Sequence, residues 1–475
     1  MERKFGILMP VFSLGEMGGV GTFGKEAYRF VDFLSACNVS VWQILPLCPV
    51  GYGGSPYSSP CCSAIAPHYI DLDILANKGL LKKSEYVRKK FGTSTRVDYA
   101  SLDKKTKLLK KAFTRYTDKL NGFYDYALYM ALKEFNGGKP WNEWGECAEY
   151  SSQAVKDFAA SHGDEIAFWQ FVQAEAFLQW QELKRYANGK GVKIMGDLPF
   201  YVAYDSVEVW KNKKFFDLDG FVPKKVAGVP PDYFSKSGQL WGNPVYKVRS
   251  AKVKRWWNER LSSALELYDS VRLDHFRAFD EFYAVPYGRE DAIKGRWKKG
   301  FGYEFFIGKK GMPIVAEDLG IITQSVRDLL VKTGFPGMRV LQFGFSGGDN
   351  PHLPSAVRSG SVCYTGTHDN MTLVQFLSSL SESEKEQFTA ILQEEWGSVS
   401  DDVDELADVV IELCCMSDAH LAIVPLFDLL HKGEDGRINT PSTVSADNWS
   451  ARIQSGEYEQ VREDILYLVN KYNRG

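Results

Sequence analysis

Ser270-Val-Arg-Leu-Asp-His-Phe-Arg-Ala-Phe-Asp280 is the stretch on which the reading of this chain turns. Val271 and Leu273 alternate with Arg272 and Asp274, the period of a short strand that runs into a loop at its C-terminal end. Four ionisable side chains, Arg272, Asp274, His275 and Arg277, crowd that end. Unpaired charge at a buried strand end is costly, so the cluster is either a paired network or a reaction centre. Arg272 stands two positions before Asp274, points to the same face of the strand and favours its anion.

Working outward, the same design recurs. The run 192–202 delivers Asp197 at a strand end, 313–320 delivers Glu317 and Asp318, and 362–370 delivers His368 and Asp369. Further strands are predicted over 5–13, 39–47, 337–345 and 421–426, with a helix over 25–36 carrying Ala27, Phe30, Val31 and Leu34 on one face. Strands and helices alternating at this spacing imply a parallel sheet covered by helices. In an eight-stranded β/α barrel the C-terminal strand ends share one rim, where sites are assembled from several strands. The expected fold is therefore α/β, a (β/α)8 TIM barrel with helical and loop-rich insertions on its C-terminal rim.

One catalytic domain is expected over 1–475, because no repeat or low-complexity linker divides the chain. A mainly helical insertion is predicted over about 74–189 and a loop-rich one over about 205–255. In the first, 102–120 reads as an amphipathic helix whose Lys104, Lys105, Lys107, Lys110 and Lys111 form a solvated face. In the second, 215–246 shows no clear period and reads as a long ordered loop rich in Gly, Pro and aromatics. A rigid loop at 51–59 presents Tyr52 and Tyr57, a position suited to stacking on a sugar or to capping the fold.

The composition narrows the partners. The 475 residues are 25% charged with net charge −3, which gives no electrostatic case for nucleic acid or another polyanion. No apolar run reaches the roughly 18 residues of a membrane span, and no signal-peptide core opens the chain. The eight Cys show neither CxxC spacing nor regularity, so reduced thiols in a cytoplasmic protein are expected. A catalytic metal is not expected, since HxH and HExxH are absent.

Convergent carboxyls suit cleavage of a glycosidic bond. A retaining enzyme needs an ionised nucleophile and a second carboxyl that stays protonated. Asp274 fits the first role beside Arg272, and Glu317 the second if negative charge and partial burial raise its pKa. His368 and Asp369 could bond sugar hydroxyls more strongly in an oxocarbenium-like state than in the ground state. The competing reading is a set of buried ion pairs that lock the strand ends.

Val271-Arg-Leu-Asp-His-Phe-Arg277, Ala316-Glu-Asp-Leu-Gly320 and Thr365-Gly-Thr-His-Asp-Asn370 resemble the signature regions of the amylomaltases, 4-α-glucanotransferases of the α-amylase clan. Gly51-Tyr-Gly-Gly-Ser-Pro-Tyr57, Gly228-Val-Pro-Pro-Asp232, Leu240-Trp-Gly-Asn-Pro244, Pro336-Gly-Met-Arg-Val-Leu-Gln-Phe343, Arg437-Ile-Asn-Thr-Pro441 and Asn448-Trp449 resemble further segments of that family. The resemblance spans about residues 5–452. It implies a retaining transglycosylase with Asp274 as nucleophile, Glu317 as general acid/base and Asp369 as transition-state stabiliser. It implies that Arg272, His368 and Asp197 contact the donor sugar and that Tyr57 and Phe343 pack against glucose rings. Ser55, Trp241, Asn243 and Asp232 are further implied substrate contacts, the 228–234 loop arching over the groove. It implies α-1,4-glucans and glucose as partners, no cofactor, and a monomer or homodimer. An α-1,4-glucan hydrolase of the same clan is the alternative, with a non-catalytic glucan-binding protein and a metal-dependent barrel hydrolase as more distant ones.

Overall fold

The computed structural model describes residues 2–15, 18–231, 236–348 and 350–475. Its centre is a closed barrel of eight parallel strands: β1 Lys4–Leu8, β2 Val41–Gln43, β3 Lys193–Leu198, β4 Ser270–Leu273, β5 Ile314–Ala316, β6 Gly337–Val340, β7 Ser361–Tyr364 and β8 Leu421–Pro425. They pair in chain order, and β1 pairs with β8 from Lys4–Leu421 to Leu8–Pro425 to close the ring. The strands are short and almost wholly buried, as both faces of a parallel sheet must be when helices cover one side. The TIM-barrel expectation therefore holds.

The outer layer is uneven. Helices α1 Lys25–Ala36, α2 Gly163–Gly189, α3 Ala251–Leu267, α4 Gln324–Thr333 and α5 Val403–Met416 occupy their crossovers. Between β4 and β5 the cover is two 3-10 turns, Phe276–Phe279 and Tyr303–Phe306, and not an α-helix. Phe276, Phe279, Phe301, Phe305 and Phe306 pack ring on ring there, with Phe279 and Phe306 centroids 4.9 Å apart. Aromatic area thus replaces a helix as the apolar lid of that side of the barrel.

Two predicted boundaries are corrected. The helical insertion between β2 and β3 does contain helices at Leu72–Asn77, Asp103–Phe113, Tyr124–Phe135 and Gln153–Ser161. The last part of the predicted insertion, however, is α2, which packs on α1 and β3 as part of the barrel's own outer layer. The helix predicted over 102–120 stops at Phe113, and Lys105 is buried with its Nζ donating to the His68 carbonyl at 2.6 Å. Four of the five lysines follow the solvated-face reading; the fifth is drawn inward because its long stem reaches a buried acceptor.

The second insertion is a sheet, not a loop. Lys225–Val229, Gln239–Pro244, Glu281–Pro286 and Arg296–Lys299 form four antiparallel strands, so the unit crosses the predicted limit at 255, while α3, which straddles that limit, belongs to the barrel. The sequence signal failed because the pairing of 225–229 with 281–286 is non-local and a register irregularity between Val226 and Gly228 breaks the period of two. None of the described helices is long and apolar enough to cross a membrane, and all eight cysteines are free.

One glycine links barrel packing to the rim. A Cβ on Gly196 would lie 2.1 Å from the ring of Tyr268, a buried residue just before β4. Gly196→Ala is expected to push Tyr268 off β3 next to Asp197, costing about 1–3 kcal/mol as overpacking. A thermal scan should show a clear fall in Tm; an unchanged Tm would mean the ring moves freely.

Candidate active site

Register brings the first pair together. Asp197 on β3 lies opposite Arg272 on β4, and both side chains point into the C-terminal mouth of the barrel. Arg272 Nη1 meets Asp197 Oδ2 at 2.6 Å, and its Nη2 meets Asp274 Oδ1 at 3.0 Å. Burial opposes the guanidinium charge, but the two carboxylates outweigh it and hold Arg272 firmly cationic. Asp197 has a fully enclosed side chain, whereas that of Asp274 is 26% exposed. Asp197 anchors Arg272 from beneath, and Asp274 is the more exposed of the two carboxyls.

Backbone geometry places Glu317. The chain turns sharply after β4, with His275 in the left-handed region at φ 53°. Such a conformation is uncommon for a residue with a Cβ and clusters at functional sites. Here it aims the His275 N–H at Glu317 Oε2, 2.7 Å away, while the Leu319 N–H donates to Oε1 at 2.9 Å. Burial, with the negative charge of Asp274 adding to it, pushes the Glu317 carboxyl up to about 8, against the pull of Arg272 and the two N–H donors. Burial therefore dominates, where the sequence had suggested neighbouring charge first. The adjacent Asp318 turns away: it accepts from the Met338 N–H at 2.7 Å and pairs with Arg339 at 2.9 Å, joining β5 to β6.

The far side of the mouth is a layered network. The Tyr57 hydroxyl donates to Asp197 Oδ2 at 2.9 Å and lies 3.0 Å from His368 Nε2, so a proton on Nε2 makes the imidazole the donor. The Tyr57 and His368 rings stack at 5.4 Å with 12° between their planes. Trp449 backs both, with centroids 5.5 Å from Tyr57 and 5.8 Å from His368. Asp369 is more open: its side chain is 45% exposed, with His368 Nε2 at 3.4 Å on one oxygen and the Asn439 amide at 2.7 Å on the other.

The remaining implied contacts divide. Phe343 and Trp241 are exposed on the rim, and Trp241 packs edge-on against His275 at 4.9 Å. Ser55 caps the 3-10 turn that presents Tyr57, its Oγ accepting from the Tyr57 N–H. Asn243 donates to the Val202 carbonyl at 2.9 Å and so braces the inserted sheet against the barrel. Asp232, and with it the crest of the 228–234 loop, lies outside the described residues. Among the described residues no group of three or more His, Cys, Asp or Glu is arranged to hold a metal ion.

Three contributors escaped the sequence reading. The His275 backbone acts through its dihedral, which no residue type announces. Trp449 and Asn439 arrive from 175 and 122 residues beyond Asp274 and Glu317 respectively, counted along the numbering. Only the Asn448-Trp449 and Arg437–Pro441 segments, noted as resembling the family, marked them at all. What the assembled site can do chemically follows from its two carboxyl environments: one paired with a guanidinium, one pushed up to about 8 by burial, the kind of split that retaining glycosyl transfer uses.

Comparison with known proteins identifies the family. The family model described as 4-alpha-glucanotransferase matches residues 9–457. The 4-alpha-glucanotransferase of Synechocystis is 41% identical, covering 100% of this chain and 98% of its own. That of Clostridium butyricum is 38% identical, covering 98% of this chain and 100% of its own. Among solved structures, amylomaltase from Streptococcus agalactiae in complex with acarbose superposes with a TM-score of 0.94 at 34% identity, covering 100% of both chains. Amylomaltase from Corynebacterium glutamicum, at 18% identity and a TM-score of 0.74, covers 99% of this chain and 75% of its own, and shares the fold. The chain belongs to the 4-alpha-glucanotransferase, or amylomaltase, family.

Proposed function

We propose that the chain transfers α-1,4-glucan segments between maltodextrins by double displacement through a glycosyl ester on Asp274. The observation that carries this reading is the split between two neighbouring carboxyls: Asp274 sits on Arg272 at 3.0 Å, while burial pushes Glu317 up to about 8. In the first step an Asp274 oxygen attacks C1 of the donor glucose as the C1–O4 bond breaks. The Glu317 proton goes to the departing O4. In the second step Glu317, now a carboxylate, takes the proton of an acceptor 4-hydroxyl whose oxygen attacks C1. The bond to Asp274 breaks, the α-linkage is restored and Glu317 is protonated again.

Asp369 supplies negative charge to the oxocarbenium-like state on the opposite side. His368 and Tyr57 offer the donor sugar a polar and aromatic wall, and Arg272 pairs with the nucleophile at 3.0 Å. Phe343 and Trp241 stand as ring platforms along the groove; Asn243 braces the strand that carries Trp241, and Ser55 the turn that carries Tyr57. The relative from Streptococcus agalactiae was solved with acarbose, which supports glucan-like ligands for this groove. Transfer prevails over hydrolysis only if the acceptor hydroxyl is held in place, where effective molarities reach about 10⁵–10⁸ M.

Incubated with maltotriose, the protein should release glucose together with longer maltodextrins; products that only shorten, with reducing ends rising, would make it a hydrolase. The general acid must be protonated in the first step, so kcat/KM should fall as pH rises through about 8. Glu317→Gln should lose that limb and about 10²–10⁴-fold in turnover. With a slow fluorinated donor, intact-mass measurement should find one glycosyl adduct on the wild type and none on Asp274→Asn. An adduct on that variant moves the nucleophile elsewhere.

A further inference from the structure

Asp369 is the most exposed of the three carboxyls at the mouth, with a side chain 45% accessible. A carboxylate that open has rotamers to choose from, and fixing one costs entropy unless something holds it. The charged and titratable groups that face it are His368 beside it, Tyr57 from the loop after β2 and Arg437 from the C-terminal segment. Of these, His368 approaches at 3.4 Å and shares its Nε2 with Tyr57. The shortest contact comes from a neutral group, Asn439 Nδ2, at 2.7 Å from Asp369 Oδ1.

Asn439 is itself immobilised. It is buried, and its backbone carbonyl accepts from Arg437 Nε at 3.0 Å. On one side the Ile438 carbonyl accepts from the Trp449 N–H at 2.6 Å; on the other the Thr440 N–H donates to Asn448 Oδ1 at 3.0 Å. The strap that carries Asn439 is therefore pinned to Trp449, whose ring also backs Tyr57 and His368. A lysine or arginine in its place would also grip Asp369 but would offset the negative charge that the carboxylate presents. An amide fixes the oxygen and leaves the charge available.

We propose that Asn439 is the positioning residue of Asp369, orienting its carboxylate toward the sugar without neutralising it. The inference rests on the reading of Asp369 as the stabilising carboxylate. It predicts a defect in the chemical step, not in substrate binding: a carboxylate free to rotate away loses about 100-fold where placement within an ångström matters. Asn439→Asp, close in shape, adds a sharper signature. Its new carboxyl can donate to Asp369 only when protonated, and when ionised it repels Asp369 across the same 2.7 Å contact.

The test measures kcat and KM for maltotriose disproportionation from pH 4.5 to 8 in wild type, Asn439→Ala, Asn439→Asp and Asp369→Asn, with Tm recorded for each. Support is a fall in kcat for both Asn439 variants with KM within about threefold, and an Asn439→Asp activity that recovers relative to wild type as pH is lowered. That recovery should be missing from Asn439→Ala. If both Asn439 variants keep wild-type kcat while Asp369→Asn is inactive, the positioning role is wrong and the reading of Asp369 stands. If Asp369→Asn is itself active, the reading of Asp369 fails first. A fall in Tm with a pH-independent activity ratio in Asn439→Asp would make the residue merely structural and overturn the proposal. Should Asn439→Ala fail to fold, Asn439→Asp alone decides through its pH ratio.

Discussion

The site depends on one buried guanidinium. Arg272 is enclosed at the mouth of the barrel, where a lone charge would cost several kcal/mol in desolvation, and it persists because Asp197 and Asp274 take its two terminal nitrogens at 2.6 and 3.0 Å. That bridge spans β3 and β4, so the hydrogen-bond register of the barrel, which sets Asp197 opposite Arg272, is also the register of the charges. Every other polar group at the mouth is arranged around it. Tyr57 reaches Asp197 from one side and hands on to His368, while Glu317 stands where Arg272 and Asp274 act on it with opposite sign. Removing the guanidinium would leave two buried or half-buried carboxylates without their counter-charge.

The division of labour between the carboxyls is a consequence of solvent access. Asp274 and Asp369 face the groove, while Glu317 and Asp197 lie beneath it. Of the buried pair, Asp197 receives a direct ion pair and Glu317 two backbone N–H bonds, and burial raises both carboxyls against those partners. Identical chemistry thus acquires different environments from the left-handed turn at His275 and the depth of the β5 end. Beside Glu317, Asp318 shows the contrast: one residue further on, it faces Arg339 and becomes a joint between strands.

The barrel was readable because parallel strands buried on both faces are dense apolar runs, and because their ends break abruptly into charge. Asp197, Asp274, Glu317 and Asp369 were each picked out by that break. The antiparallel sheet over 225–299 was not readable: its strands are short, most carry Gly or Pro, a register irregularity interrupts one pairing, and its central pairing joins 225–228 to 283–286 across more than fifty positions. Lys105 looked like its four neighbours in composition and differs from them only in having an acceptor within reach of a buried stem. The 3-10 cover between β4 and β5 was missed for the opposite reason, since clustered phenylalanines carry no helical or strand spacing to detect.

By itself the sequence determined the strand order, the residue types delivered to the rim and, through its motifs, the family, because these depend on local period and on which side chains stand at strand ends. Tertiary structure alone decided what each of those groups is. Closure of the barrel made Asp197 the anchor of Arg272, since register sets it opposite that residue and buries it under the mouth. Folding brought Asn439 and Trp449 from the C-terminal part of the chain to Asp369, Tyr57 and His368. Burial then raised Glu317 to about 8. Register, exposure and contact between distant segments are properties of the closed ring, and no window of sequence contains them.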